Sequence, residues 1–248
     1  MTNRIQPRVA FKAIKALIQN PEETEQVFVF VDAMAGDATE KCARRFEATA
    51  AGKRIFSTDA TLLDTLVQRE KLESMDEGSL GRAYLAFLDS GNLTPDGLLE
   101  ASDSADMSMN EDRNTHRLAI RLRDQHDLWH VTTGYRRDVA GEASLLAFTY
   151  AQTKNRGLGL ISIIGGLKLF RHYGFSIFKS LWEGYRLGKR SAWLPQQEWE
   201  TLLLLPLAQV RDLLNVGRPD FYSQLSPKAP ETIAKKSQHK GETSPSWR

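Results

Sequence analysis

The residues of this chain best suited to chemistry lie in Arg121-Leu-Arg-Asp-Gln-His126-Asp127-Leu-Trp-His130, where two histidines stand four apart. The segment reads as helix, so both imidazoles project from one face. That is the spacing at which a helix offers two nitrogen ligands to zinc or a related metal. Asp127 follows about 100° round the helix, at the edge of the same face. With 5 histidines in 248 residues, a second one falls four places after a given one only about 2% of the time by composition. Twelve residues beyond His130, Gly141-Glu142 opens another amphipathic segment. A helix, a turn and a second helix packed antiparallel would bring Glu142 back to the histidine pair. Taken alone, Glu142 is an acid favoured by the dipole of a helix first turn. Together, His126, Asp127, His130 and Glu142 form a nitrogen and oxygen ligand set that suits Zn²⁺, Fe²⁺ or Co²⁺ without choosing among them. Catalysis also needs an open coordination position, so one carboxylate lies outside the inner shell or the coordination number exceeds four.

The elements that must position these residues all read as helices. Hydrophobic period predicts helices at about 8–19, 23–35, 38–51, 60–68, 79–90, 95–107, 111–134, 141–154, 158–172, 174–191 and 196–215. Val27-Phe-Val-Phe-Val31 is β-prone, but it continues from Pro21-Glu-Glu-Thr, where proline and acids suit a helix first turn, and it is read as a buried helix. The expected fold is all-α, a single multi-helix domain over residues 1–222 with a helix-turn-helix metal site. Residues 223–248, rich in Pro, Lys and Ser, are expected to be a disordered tail.

Composition sets outer limits. With 41% apolar and 26% charged residues, the chain has the balance of a globular domain with a substantial core. Thirty-three basic residues against 31 acidic ones give a formal charge of +2, which argues against a general nucleic-acid binder. The single cysteine, Cys42, allows neither an intramolecular disulfide nor a thiolate zinc site. The most apolar stretch, Gly157 to Leu167, is too short to span a bilayer, so membrane contact is expected at the surface. From Gly157 to Leu194 the chain combines apolar helix faces and glycines with Lys168, Arg171, Lys179, Arg186, Lys189, Arg190, Trp182 and Trp193. Such a surface suits an anionic membrane interface, although helix packing beside a solvated basic face gives the same pattern.

The long motif is specific. His126-Asp-Leu-Trp-His130, then eleven residues, then Glu142, resembles the signature of the Coq4 family of ubiquinone-biosynthesis proteins. Gly78-Ser-Leu-Gly-Arg-Ala-Tyr84, the arginine lead-in Arg121-Leu-Arg-Asp, and the closing Trp199-Glu200, Pro206-Leu207 and Val210-Arg211 are similar to its flanks, so the likeness runs over roughly residues 8 to 216. The resemblance implies an all-helical, peripheral membrane protein with a divalent metal, zinc foremost, with Fe²⁺ or Co²⁺ as alternatives. It implies oxidative decarboxylation at ring carbon C1 of a 4-hydroxy-3-methoxy-5-polyprenylbenzoate, leaving a hydroxyl there. Asp127, Arg121 and Arg123 are the expected catalytic residues, the arginines as candidates to orient the substrate carboxylate. Expected partners are a polyprenylated aromatic acid, the membrane surface, other ubiquinone-biosynthesis proteins and a second copy of the chain. The expected place is the cytoplasmic side of a bacterial inner membrane, with the mitochondrial matrix face as the alternative.

A non-catalytic lipid-binding scaffold is the competing reading within that pathway. An HD-type phosphohydrolase would need a further histidine and a distant aspartate, yet neither His116 nor His172 sits in a His-Asp pair. In a zincin-like peptidase, Asp127 would replace the glutamate general base.

Overall fold

The computed structural model describes residues 5–19, 25–91 and 112–225, and every regular element among them is a helix. In chain order they are α1 (Pro7–Gln19), α2 (Glu25–Ala35), α3 (Ala38–Glu47), α4 (Ala50–Phe56), α5 (Leu63–Leu66), α6 (Arg69–Glu73), α7 (Leu80–Ser90) and α8 (Arg113–Asp124). There follow α9 (His126–Thr133), α10 (Val139–Thr153), α11 (Arg156–Tyr173), α12 (Ser176–Arg190), α13 (Trp199–Leu202), α14 (Leu207–Leu213) and α15 (Asp220–Leu225). The expected helix at 95–107 lies outside the described residues, as does the tail from 226 onward. Helix α15 crosses the expected domain boundary at 222 and buries Tyr222 and Leu225.

The main core joins α7, α9, α10 and α12 to the closing segment, with Trp129, Trp199, Tyr84, Phe148 and Leu128 fully enclosed. Helices α10 and α12 pack backbone to backbone because the contact positions are small. A Cβ on Gly184 would lie 2.4 Å from the Ser144 carbonyl oxygen, and one on Gly188 would lie 2.6 Å from that of Phe148. Ser144 and Ser180 share a buried hydroxyl hydrogen bond of 2.8 Å at this contact. A second cluster holds α1, α2 and α11 together through Ala10, Ala13, Leu17, Phe30, Val31 and Ile161. The β-prone Val27–Val31 run is helical, as expected, but only part of it is buried. Phe28 and Val29 are 68% and 40% exposed, because α1 and α11 cover one side of α2 and leave them outside that contact.

Several long expected helices are broken in the fold, each for its own reason. Thr49 accepts a hydrogen bond from the Gly52 amide and so starts α4 after a break at Ala48. Pro206 divides the closing segment. There Leu80 and Gly81 donate their amides to the carbonyls of Leu205 and Leu203, docking the start of α7.

The break that matters most is at Gln125, between α8 and α9. Its side chain is fully buried, and its carbonyl oxygen accepts from the indole N–H of Trp129 at 3.1 Å and of Trp199 at 2.8 Å. One turn earlier, Arg121 donates to both carboxylate oxygens of Glu200, at 2.8 and 2.9 Å, and to the Gln197 carbonyl at 3.0 Å. The segment that carries the histidines is thereby fastened to the closing segment. A stranded buried donor costs about 1–3 kcal/mol. Gln125→Leu strands two indole donors and removes the unpartnered Nε2 of Gln125 itself, a net of one, and in urea titration it is expected to lower the unfolding free energy by about 1–3 kcal/mol. Combined with Trp199→Phe it should cost clearly less than the sum of the single changes, and strict additivity would show that the shared carbonyl is not the link.

Candidate metal centre

Helix α9 starts at His126 and is two turns long, so His126 and His130 lie on one face, edge to face with ring centroids 4.8 Å apart. Gly134, at φ +85°, ends the helix in a left-handed turn that an L side chain adopts only with strain. Arg211 donates to the Thr132 and Val131 carbonyls at 2.9 and 3.0 Å, placing a cation at the negative end of the helix. The chain then runs through Tyr135 and Arg136 to Asp138, which caps α10 by accepting from the amides of Ala140 and Gly141. A Cβ on Gly141 would lie 2.0 Å from the Arg136 carbonyl oxygen. Only glycine therefore lets the connection fold so tightly onto α10 that Glu142, in its first turn, faces α9.

The result is a convergence of three side chains. Nε2 of His130 lies 3.3 Å from one carboxylate oxygen of Glu142, and Nε2 of His126 lies 3.9 Å from the other. One ligand atom from each of His126, His130 and Glu142 can be chosen so that all lie within 4.8 Å of one another. Each histidine also has a neighbour at its other nitrogen. Nδ1 of His130 meets the Tyr135 carbonyl at 3.0 Å, and Nδ1 of His126 lies 3.5 Å from Asp127. His130 is buried, and its Nε2 has no hydrogen-bond partner. A buried, unpartnered nitrogen facing a carboxylate and a second imidazole is what a bound divalent cation would satisfy, so the residues present fit such a metal.

Charge agrees with the geometry. Burial opposes the charged form of His126, but contact with Asp127 and the charge of Glu142 prevail and raise its pKa above the ordinary value. For Glu142 burial pushes the carboxyl up, and the His130 contact with the charge of both imidazoles outweighs it and holds it below the usual range. Asp127 is lowered in the same way, against burial, by His126 and Arg137.

Of the residues singled out in the sequence, Asp127 stands on the Nδ1 side of His126, away from the nitrogen that faces Glu142. Its other oxygen lies 3.8 Å from Arg137. Arg121 does not present a free guanidinium, since Glu200 and Gln197 occupy it, and Arg123 is paired with Asp124 at 3.2 Å. Two residues at the site went unnoticed. Phe87 stacks on His130 with ring centroids 5.3 Å apart, and Arg137 lies over Phe87 at 4.0 Å. The guanidinium fits where Gly91 has no side chain, and its Nη2 is buried without a hydrogen-bond partner. The paired Arg136-Arg137 between the two ligand segments was the signal available for it.

Comparison with known proteins matches this architecture. The family described as coenzyme Q (ubiquinone) biosynthesis protein Coq4 matches residues 5–220, which include every element of the site. The chain belongs to the Coq4 family. Among relatives, the ubiquinone biosynthesis protein COQ4 of Yarrowia lipolytica, named as mitochondrial, is 26% identical over 70% of this chain and 64% of its own length. That of Aspergillus terreus is 29% identical over 68% of this chain and 56% of its own. The chain thus spans less than two thirds of these fungal relatives. A solved Nostoc punctiforme structure superposes with a TM-score of 0.59 at 21% identity, covering 85% of this chain and 98% of that one, and it shares the fold.

Within this Coq4 chain, Arg121 and Glu200 make an observable contribution of their own. Burial pushes the Glu200 carboxyl up, but Arg121 prevails and lowers it. A carboxyl lowered on folding stabilises the protein above its unfolded pKa, and that stability is lost as pH falls through the folded value. Arg121→Ala is therefore expected to destabilise the protein at neutral pH and to flatten its loss of stability below about pH 4.5, as urea titrations across pH would record. Metal content should stay at the wild-type value. A drop in bound metal with unchanged stability would return Arg121 to the site.

Proposed function

We propose that this chain is a metal-dependent enzyme of ubiquinone biosynthesis. It carries out the oxidative decarboxylation of a 4-hydroxy-3-methoxy-5-polyprenylbenzoate at ring carbon C1. The observation that carries the reading is the set of His126, His130 and Glu142, with Asp127 turned to the far nitrogen of His126. Three protein ligands leave coordination positions for substrate, as a catalytic centre requires, whereas a structural centre is closed by four. Two histidines and one carboxylate suit Zn²⁺ as a Lewis acid, and they are also the set used by non-haem Fe²⁺ oxygenases, with Co²⁺ as a further candidate.

Bound there, a divalent metal supplies Lewis-acid polarisation of the ring carboxylate. The protein's own residues do the rest. Asp127 holds the Nδ1 proton of His126, which keeps Nε2 unprotonated toward the metal, and the Tyr135 carbonyl does the same for His130. Arg137 adds positive charge beside Asp127. Phe87 supplies an apolar wall against the His130 ring. Replacing the carboxylate by a hydroxyl whose oxygen comes from water breaks the ring–carboxyl bond and releases CO₂. From the ionised acid it also removes two electrons and one proton, so a two-electron acceptor is a required co-reactant.

No helix among the described residues is long and apolar enough to cross a membrane, and the polyprenyl substrate resides in one. The reading therefore places the protein on an inner-membrane surface, bacterial or mitochondrial, beside other ubiquinone-biosynthesis proteins. The scaffold reading draws on the exposed apolar side chains of α11 and α12, Ile163, Leu167 and Trp182 among them. Purified protein loaded in turn with Zn²⁺, Fe²⁺ or Co²⁺ and given a short-chain 4-hydroxy-3-methoxy-5-prenylbenzoate with an electron acceptor is expected to release CO₂. His130→Ala and Glu142→Ala should each lose bound metal and at least tenfold in turnover. Full metal content with no turnover under any metal would favour the scaffold.

A further inference from the structure

On the far side of α10 from the start of the metal centre, a hollow of about 560 Å³ opens where α3, the end of α10 and the start of α11 meet. Its charged lining is Lys41, Arg45, Lys154 and Arg156 against a single acid, Asp37. Asp37 is already taken by Lys41, at 2.8 Å. Among the described residues, neither Arg45 nor Arg156 has a carboxylate within ion-pair distance. The Arg45 guanidinium lies over the Trp193 ring at 4.0 Å, which fixes its position without neutralising it. Lys154 stands at the left-handed end of α10, at φ +62°, with its ammonium on the Ala151 carbonyl. Burial together with the like charges of Lys189 and Arg45 lowers its pKa, a crowding that a bound anion would relieve.

The hollow continues into an apolar surface. At about 100° per residue, Arg156, Leu160, Ile163, Leu167 and Phe170 of α11 fall within an arc of about 80°. The four apolar members are 38%, 52%, 61% and 38% exposed. The opposite face of α11 is the packed one, where Gly157 lies against the Val31 backbone and Ser162 donates to the Ala143 carbonyl at 2.8 Å. The stripe thus faces outward, and it has a cation at its first residue. Arg171 borders it further along, about 20° beyond its edge. An outward apolar stripe edged by cations is the arrangement by which a helix lies in the plane of an anionic bilayer.

We infer that this hollow binds the phosphate of an anionic membrane lipid while the Leu160–Phe170 stripe of α11 beds into the acyl layer beside it. The inference rests on the membrane-surface part of the proposed function and is independent of the metal. A free phosphate would need only the cations. The continuity of Arg156 with the apolar stripe selects a lipid as its source.

The test is co-sedimentation of the full chain with vesicles of phosphatidylcholine alone or with one third phosphatidylglycerol. Wild-type protein is expected to bind the anionic vesicles at least tenfold more tightly. The double variant Arg45→Glu, Arg156→Glu should lose that preference. Both side chains are exposed, and an acid in the first turn of α11 is favoured by the dipole, so thermal unfolding and metal content should stay near wild type. Ile163→Ser with Leu167→Ser should weaken binding to both vesicle types. If the charge-reversed protein keeps its anionic preference, the hollow is not the headgroup site, while the membrane reading stands. If wild-type protein binds neither vesicle, the membrane reading falls with it. If wild-type protein binds inorganic phosphate in free solution and Arg45→Glu, Arg156→Glu loses that binding while keeping its anionic-vesicle preference, the hollow takes soluble phosphate, and the lipid assignment is overturned.

Discussion

One buried carbonyl, that of the Gln125 side chain, joins the helix bearing His126 and His130 to the last third of the chain. It accepts two indole N–H groups at once, from Trp129 within α9 and from Trp199 in the closing segment. Enclosed tryptophan donors must be paired, and here one oxygen pairs both. Next to it the Arg121–Glu200 ion pair repeats the link one turn earlier. From that fixed origin, α9 presents His126 and His130, while Gly134 and Gly141 permit the tight return that delivers Glu142. The helices that carry the three converging side chains are thus placed by contacts distant from them in sequence.

The centre itself is asymmetric. His130 is enclosed, with Phe87 against its ring, whereas His126 and Glu142 are each more than a third exposed. A metal held there would be reached from the side of His126 and Glu142. Asp127 and Arg137 stand next to that side, and the carboxyl of Asp127, held below its usual range, lies 3.5 Å from Nδ1 of His126. An open, charged rim over a buried inner wall suits an aromatic acid whose carboxylate reaches the metal and whose prenyl chain stays in the membrane.

Much of this was legible in the sequence, for a physical reason. Helical period and the spacing of two histidines are local properties, so the all-α fold and the His126–His130 pair follow from neighbours a few residues apart. Glu142 could be paired with them because its connection is short and marked by Gly134 and Gly141. What stayed hidden depends on distant residues. The ion pair of Arg121 is made by a glutamate 79 positions later, and nothing near Arg121 distinguishes that role from substrate binding. Arg137 becomes part of the site only because Gly91 leaves room for it and Phe87 offers its ring face. The half-exposure of Val27–Val31 likewise reflects which helices cover α2, not its composition.

The central claim is that the metal has three protein ligands and an exchangeable side. X-ray absorption at the metal edge of the loaded protein, recorded with and without the benzoate substrate, tests it most directly. The expected result is two imidazole nitrogens with one carboxylate and light oxygen donors that change when substrate is added, with an identical imidazole signal in Asp127→Asn. A shell closed by four protein ligands, unchanged by substrate and losing an oxygen donor in Asp127→Asn, would contradict it.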